Sequence, residues 1–290
     1  MNLSGCCVLI TGASQGLGFE IAKHFVSEGA RVMICARDVS NLLSAKNELL
    51  KIAVNDAQVF SLTADISKKD DVERLVSESI SRMGKLDVLV ANAGIYGPKG
   101  CIEETDWEEW SAAIDINLKG TVLQCRSVIP YFKKQGSGKI IILSGGGATK
   151  PMPFLSAYAA SKAGVVRFAE TLAEEVSEYH IDVNTIAPGS LNTRLLGEIL
   201  EAGPQKVGEK FYASALQQQE NGGTAFSIPV SLCSFLASSK SNGITGKLLS
   251  ALWDPWSKLP ELIDELKRSD IYTLRRIIPS DRNKSWDEML

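Results

Sequence analysis

Short apolar runs alternate along this chain with longer segments in which apolar residues recur every three or four positions. The runs at 6–11, 31–36, 58–64, 86–91, 139–144, 182–187 and 247–252 are apolar on both faces, the pattern of parallel strands covered on each side. Helix-period segments lie near 16–28, 40–54, 68–83, 104–134, 156–178 and 228–238. Strand–helix alternation of this kind predicts an α/β fold, a doubly wound parallel sheet of about seven strands with helices on both faces. Two stretches fall outside the rhythm, 190–227 and the tail after Asp254. No repeat, low-complexity tract or Pro/Ser-rich linker divides the chain, so the expected organisation is one domain over 1–253, with 254–290 as an extension.

Composition narrows the function classes. A 290-residue chain with 44% hydrophobic and 22% charged residues buries an ordinary globular core. A formal net charge of -3 argues against charge-driven binding to nucleic acid or anionic lipid. Apolar runs such as Ile140-Ile141-Ile142-Leu143 are too short to cross a bilayer, and Met1-Asn2-Leu3-Ser4-Gly5 lacks the basic stretch and apolar core of a secretory signal. The six cysteines form no C-x-x-C pair and sit mostly in apolar stretches, as small buried hydrophobes do in a reducing cytosol. A cytoplasmic protein is therefore expected. His24 and His180 are the two histidines and lie far apart, which argues against a histidine metal site or a Ser-His-Asp triad; no metal is expected.

The first strand runs into Thr11-Gly12-Ala13-Ser14-Gln15-Gly16-Leu17-Gly18, and a helix follows. Gly12 permits a sharp turn, Gly16 a close approach of backbone to a pyrophosphate, and Gly18 close packing of helix on sheet. The first N–H groups of that helix have no internal partner, and its dipole favours an anion. The spacing is G-x-x-x-G-x-G, which an ordinary glycine-rich turn also satisfies. At the end of the second strand, Ala36 stands where an acid would grip a ribose 2′-hydroxyl, and Arg37 follows. Loss of the acid together with a guanidinium favours a 2′-phosphate, hence NADP over NAD. Asp38 next door is able to take the acid's role, which keeps NAD open.

Tyr158 and Lys162 are four residues apart at the start of a helical segment, so they share one face. A cation beside a phenol favours the phenolate and lowers its pKa, letting Tyr158 exchange a proton with an alcohol or carbonyl oxygen.

The ordered set Thr11-Gly12-Ala13-Ser14-Gln15-Gly16-Leu17-Gly18, Asp65-Ile66, Asn92-Ala93-Gly94-Ile95, Asn117, Tyr158 with Lys162, and Pro188-Gly189 with Thr193 resembles the short-chain dehydrogenase/reductase family over roughly residues 4–250. The resemblance implies a Rossmann-type fold and an NAD(P)-dependent oxidoreductase acting between an alcohol and a carbonyl. It implies that Gly12, Ser14, Gln15, Gly16, Leu17, Gly18 and Arg37 bind the cofactor, with Asp65 and Ile66 at the adenine and Asn92, Ala93 and Gly94 beside a ribose. Pro188 and Gly189 would border the nicotinamide, and Thr193 would bond the carboxamide or a phosphate. Asn117 would hold a water linking Lys162 to solvent, although an amide satisfying a local helix distortion explains it equally. Tyr158 would pass the proton while Lys162 lowers its pKa and holds the nicotinamide ribose. A homodimer or homotetramer through the helices near 104–134 and 156–178 is implied, with a small-molecule substrate and neither nucleic acid nor membrane as partner.

The chain departs from the family pattern in two places. The family usually places a serine after strand five against the substrate oxygen; here Ser144 is followed by Gly145, Gly146 and Gly147, and Gly145 stands at the expected position. Ser144 is the candidate for that role, brought in by rotation of the glycine run; a backbone N–H, a water or Ser156 are the alternatives, although Ser156 suits the N-cap of its helix. Second, the tail continues well past the last strand, with Leu259, Leu262, Ile263 and Leu266 at amphipathic helix spacing. It is expected to pack on its own domain or a neighbouring subunit, or else to send Trp256 or Arg275-Arg276 to the substrate. Residues of about 190–227 are expected to form a lid, and Ile95-Tyr96, Phe154 and Leu155 are pocket candidates. Sugar, acyl thioester, steroid and polyketide substrates all remain open. A nucleotide-binding scaffold that lost activity is the competing reading, with an epimerase or dehydratase behind it.

Overall fold

A computed structural model describes residues 3–54 and 57–285; residues 286–290 of the expected extension lie outside them. Seven strands, β1 Cys7–Thr11, β2 Arg31–Ala36, β3 Val59–Thr63, β4 Val88–Ala91, β5 Gly138–Leu143, β6 Ile181–Ala187 and β7 Lys247–Ser250, form one sheet in the order β3-β2-β1-β4-β5-β6-β7. Every pairing is parallel. The helices are α1 Gly16–Ser27, α2 Val39–Lys51, α3 Lys69–Met83, α4 Trp107–Ile114, α5 Gly120–Gln135, α6 Ser156–Glu175, α7 Arg194–Ala202, α8 Pro204–Val207, α9 Glu209–Asn221, α10 Ser227–Ala237 and α11 Ile263–Arg268. The expected doubly wound α/β sheet is therefore the observed fold.

The period-two alternation of side chains divides each strand between two cores. Val8, Ile10, Val32 and Ile34 face α1, α2 and α10, where Ile21, Phe25, Leu42, Leu49 and Phe235 are buried. Cys7, Leu9, Met33 and Leu89 face α3, α5 and α6, where Leu75, Val128, Phe132 and Val165 are buried. Because both faces are covered, the strands read as continuous apolar runs. None of the described cysteines is paired.

Three segments differ from the sequence expectation. The segment 104–134 is not a single helix: α4 and α5 are separated by a π-helical turn, Asp115–Lys119, which carries Asn117 inward. The lid stretch holds α7, α8 and α9, whose periodicity is interrupted by Gly203 and Gly208, both at positive φ. The tail is a 3-10 turn, Trp256–Leu262, followed by the short α11, so Leu259 and Leu266 are buried while Leu262 stays exposed. Pro260 within the turn, with no N–H of its own, accounts for the tighter winding.

The tail packs on its own domain. Trp256 lies against Phe235 with ring centroids 5.4 Å apart and donates to the Ala251 carbonyl at 3.2 Å. Arg275 pairs with Asp270 and Asp281. The outward edge of β7 is also engaged: the Leu248 N–H donates to the Tyr272 carbonyl at 2.8 Å, and the Ser250 N–H to the Asp254 carboxylate at 2.6 Å. Among the described residues, no helix is long and apolar enough to cross a membrane.

Candidate active site

The sheet order reverses direction between β1 and β4, and loops leaving the C-terminal ends of neighbouring strands part there. A cleft of about 570 Å³ occupies that position. Its walls include Gly12, Ser14, Gln15, Gly16, Leu17, Arg37, Asp65, Ile66, Asn92, Ala93 and Gly94 at one end, and Ser144, Tyr158, Lys162, Pro188, Gly189 and Thr193 at the other. Of the cofactor and catalytic candidates, Gly18 and Asn117 do not line it; of the pocket candidates, Ile95 and Tyr96 do and Phe154 and Leu155 do not.

The glycine-rich turn is shaped by what surrounds it. Gly12 has φ +63, and a Cβ there would lie 2.8 Å from the Ala93 Cα, so β1 and β4 approach through backbone alone. Gly18 packs behind the turn, where a Cβ would overlap the Asn92 amide and the Gly12 carbonyl. The Asn92 amide donates to the carbonyls of Thr11 at 2.9 Å and Gly12 at 3.1 Å, so Asn92 holds the turn in shape. Helix α1 begins at the turn with no side-chain cap from Gln15, leaving its first N–H groups for an anion.

Past β2, Arg37 is exposed, and none of the ion pairs or hydrogen bonds among the described residues engages its guanidinium. Asp38, the alternative ribose acid, caps α2 by accepting from the Asn41 N–H at 2.6 Å. Past β3, one carboxylate oxygen of Asp65 accepts from the Ser67 N–H and hydroxyl at 3.0 and 2.7 Å.

At the other end, the buried Lys162 ammonium donates to the Leu143 carbonyl at 2.7 Å, and burial lowers its pKa to about 8. Its nitrogen is 5.7 Å from the centre of the Tyr158 ring. The Tyr158 phenol is held above the ordinary tyrosine range, first by burial and second by Tyr96. Low polarity around the pair disfavours charge on either group, against the lowering expected from Lys162. Tyr158 is thus a neutral phenol at pH 7, a proton donor in form.

The Asn117 amide bonds to Ile95 in both directions, accepting from its N–H at 2.9 Å and donating to its carbonyl at 2.8 Å, and also donates to the Ser161 hydroxyl at 3.0 Å. Ser161 in turn donates to the Tyr158 carbonyl at 2.7 Å. Asn117 therefore ties the strand-four loop to α6 from beneath.

Ser144 lines the cleft, but its hydroxyl turns toward α6, 3.5 Å from the Lys162 carbonyl. Gly145 has an extended backbone, and a Cβ built there would overlap the Tyr158 hydroxyl oxygen. Tyr158 thus fills the volume that a side chain at 145 would need. Ser156 is the first residue of α6 rather than its cap, and its hydroxyl accepts from the Trp110 indole at 3.0 Å.

Over Tyr158 lies a third apolar cluster, which joins the pocket candidates Tyr96 and Leu155 to residues of the expected lid. Leu155, Leu196, Ile199, Val207 and Ala215 are buried there, packed with Tyr96, Met152, Phe211 and Tyr212. Helix α7, with a large apolar face, supplies Leu196 and Ile199, and α9 supplies Ala215 and Phe211. The spacing of apolar residues in 194–215 was the available signal. Trp256 and Arg276 do not line the cleft.

Comparison with known proteins decides the family. A sequence model described as short chain dehydrogenase matches residues 6–203. The chain belongs to this family. It is 36% identical over 249 residues to a glucose 1-dehydrogenase of Gluconobacter oxydans, covering 86% of this chain and 91% of that one. It is similar to the crystal structure of a 3-ketoacyl-(acyl-carrier-protein) reductase from Brucella melitensis complexed with NADH, at 32% identity and TM-score 0.74 over 86% of this chain and 97% of that one. It is also similar to an actinorhodin polyketide ketoreductase with NADPH, at 27% identity and TM-score 0.77 over 86% and 96% of the two chains. As a short-chain dehydrogenase, the chain is an enzyme of a nicotinamide-dependent oxidoreductase family.

Proposed function

We propose that this short-chain dehydrogenase is an NADP-dependent reductase of ketones with apolar bodies, with Tyr158 as the proton donor. The observation that carries the reading is the half-buried Tyr158 on the same cleft wall as the buried Lys162, at the far end of a cleft that begins in the glycine-rich turn. The residues fit a dinucleotide. Ala93 closes the turn against Gly12, α1 presents uncapped N–H groups, and a Cβ at Gly94 would come within 3.1 Å of the Asn117 amide oxygen and 3.5 Å of the Lys162 ammonium. When bound, the reduced cofactor supplies a hydride to the carbonyl carbon.

The chain's own residues do the rest. Gly12, Gly16 and the start of α1 hold the phosphates, and Asp65 and Ile66 flank the adenine. Lys162 holds the nicotinamide ribose, and Pro188, Gly189 and Thr193 border the ring. Tyr158 gives its proton to the substrate oxygen as the carbonyl becomes an alcohol, and the apolar cluster beneath α7 and α9 excludes water. Arg37, exposed at the end of β2 and without a carboxylate partner among the described residues, favours the 2′-phosphate of NADP; Asp38 is committed to α2. The apolar lining by Tyr96, Met152, Leu196, Ile199 and Phe211 favours a substrate with a hydrophobic body.

The test is turnover of a panel of aliphatic and aromatic ketones with NADPH and with NADH, beside Tyr158→Phe. The expected result is NADPH-dependent reduction that falls by about a thousandfold in the variant while NADPH affinity stays within about threefold. Tight NADPH binding with no turnover of any ketone would instead support the scaffold reading that Gly145 raises. Cycling of substrate without net cofactor consumption would support an epimerase.

A further inference from the structure

We propose that Tyr96 is a second catalytic residue, its hydroxyl donating a hydrogen bond to the substrate carbonyl oxygen in place of the side chain that Gly145 lacks. The proposal rests on the reading of Tyr158 as proton donor and adds the group that polarises the carbonyl beside it.

The chemistry calls for two donors. A carbonyl accepting hydride develops negative charge on oxygen, and a donor aimed at that oxygen is among the largest contributions a site makes. Position 145 offers none, and its neighbour Ser144 turns its hydroxyl to the α6 backbone. Tyr96 lines the same cleft as Tyr158, and the two rings meet edge to face with centroids 4.7 Å apart. None of the hydrogen bonds among the described residues engages the Tyr96 hydroxyl, although the ring is largely enclosed.

The loop that presents Tyr96 is fixed on both sides. Before it, Ile95 is clamped through both its N–H and its carbonyl by the Asn117 amide. After it, Gly97 adopts φ +73 so close to α4 that a Cβ would lie 2.7 Å from the Ala113 Cβ. The π-helical turn that carries Asn117 thereby sets where Tyr96 stands, and a donor held rigid costs no reorganisation during reaction. Above it, the Lys99 ammonium lies 5.8 Å from the Tyr96 ring centre and 3.3 Å from Glu198 of the lid helix α7, so the lid and the Tyr96 loop are joined. Burial, with the Glu198 carboxylate adding to it, pushes the Tyr96 phenol up to about 12, which keeps it a donor at neutral pH.

The experiment compares Tyr96→Phe, which keeps the ring and its packing, with Tyr158→Phe and the unaltered enzyme. Two quantities are read: kcat with NADPH on the best ketone, and the affinity of the NADPH-loaded protein for an unreactive amide isostere of that ketone by calorimetry. The expected result for Tyr96→Phe is a fall in kcat between roughly tenfold and a hundredfold and isostere binding weaker by about fivefold, with NADPH affinity and melting temperature unchanged. A Tyr96→Phe enzyme with unaltered kcat and isostere affinity, while Tyr158→Phe is inactive, overturns the role of Tyr96 and leaves the reductase reading standing. Full activity in Tyr158→Phe, or no turnover by the unaltered enzyme, overturns both.

Discussion

The two ends of the cleft are built on different principles. The end formed by β1, β4 and the start of α1 is made largely of backbone: Gly12 against Ala93, and the free N–H groups of a helix start. Nearly any side chain there is an obstruction. The end beneath α7 and α9 is made of side chains: Tyr96, Met152, Leu196, Ile199 and Phe211, packed around Tyr158. The first end suits a ligand part that is the same in every reaction, and the second a part that varies. Substitutions should therefore separate: those at the first end alter nucleotide binding, and those at the second alter substrate and rate.

The sharpest break comes at Gly12. In Gly12→Ala the added Cβ meets the Ala93 Cα and sits at φ +63, so NADPH affinity measured by fluorescence is expected to fall by more than about a hundredfold, with unfolding stability lower by about 2 kcal/mol. Arg37→Asp is expected to weaken NADPH by about tenfold and leave NADH no weaker, since only the 2′-phosphate meets the guanidinium. At the other end, Leu196→Ala is expected to raise KM for the best ketone by about fivefold while nucleotide affinity is unchanged. If Leu196→Ala weakened NADPH instead, the division of the cleft would fail.

The smallest effect tests the electrostatics at the junction of the two ends. Burial holds Lys162 near 8, below its ordinary 10.5. Its charged form is therefore disfavoured in the folded chain, and its cost to stability is full below about pH 8 and disappears as pH rises toward 10.5. In the absence of nucleotide, Lys162→Met is expected to be more stable than the unaltered protein by about 1–3 kcal/mol at pH 7, with the difference closing by pH 10. A constant difference across that range would show that the ammonium is not desolvated.

The backbone-built end was legible in the sequence because glycine spacing and strand–helix alternation are local signals. The sheet and the turn at Gly12 followed from them, whereas Asp65, Ala93 and Tyr158 were placed along the same cleft by the resemblance to the family. What escaped was set by tertiary contact. The break at Asp115–Lys119 lies inside a segment with good helical periodicity, where a local distortion at Asn117 was one of two readings, and the bonds between Asn117 and Ile95 show what the widened turn reaches. The lid was read as an irregular stretch, since Gly203 and Gly208 break it into three helices whose apolar spacing does not run on from one to the next.

The tail has a consequence beyond its packing. A terminal strand such as β7 would ordinarily present a row of unclaimed N–H groups that any extended peptide is able to pair with. Here the donors of Leu248 and Ser250 are already taken, by the Tyr272 carbonyl and the Asp254 carboxylate. The seventh strand is therefore sealed against recruitment into intermolecular β-structure, and removal of the chain from Asp254 onward would expose a template for aggregation.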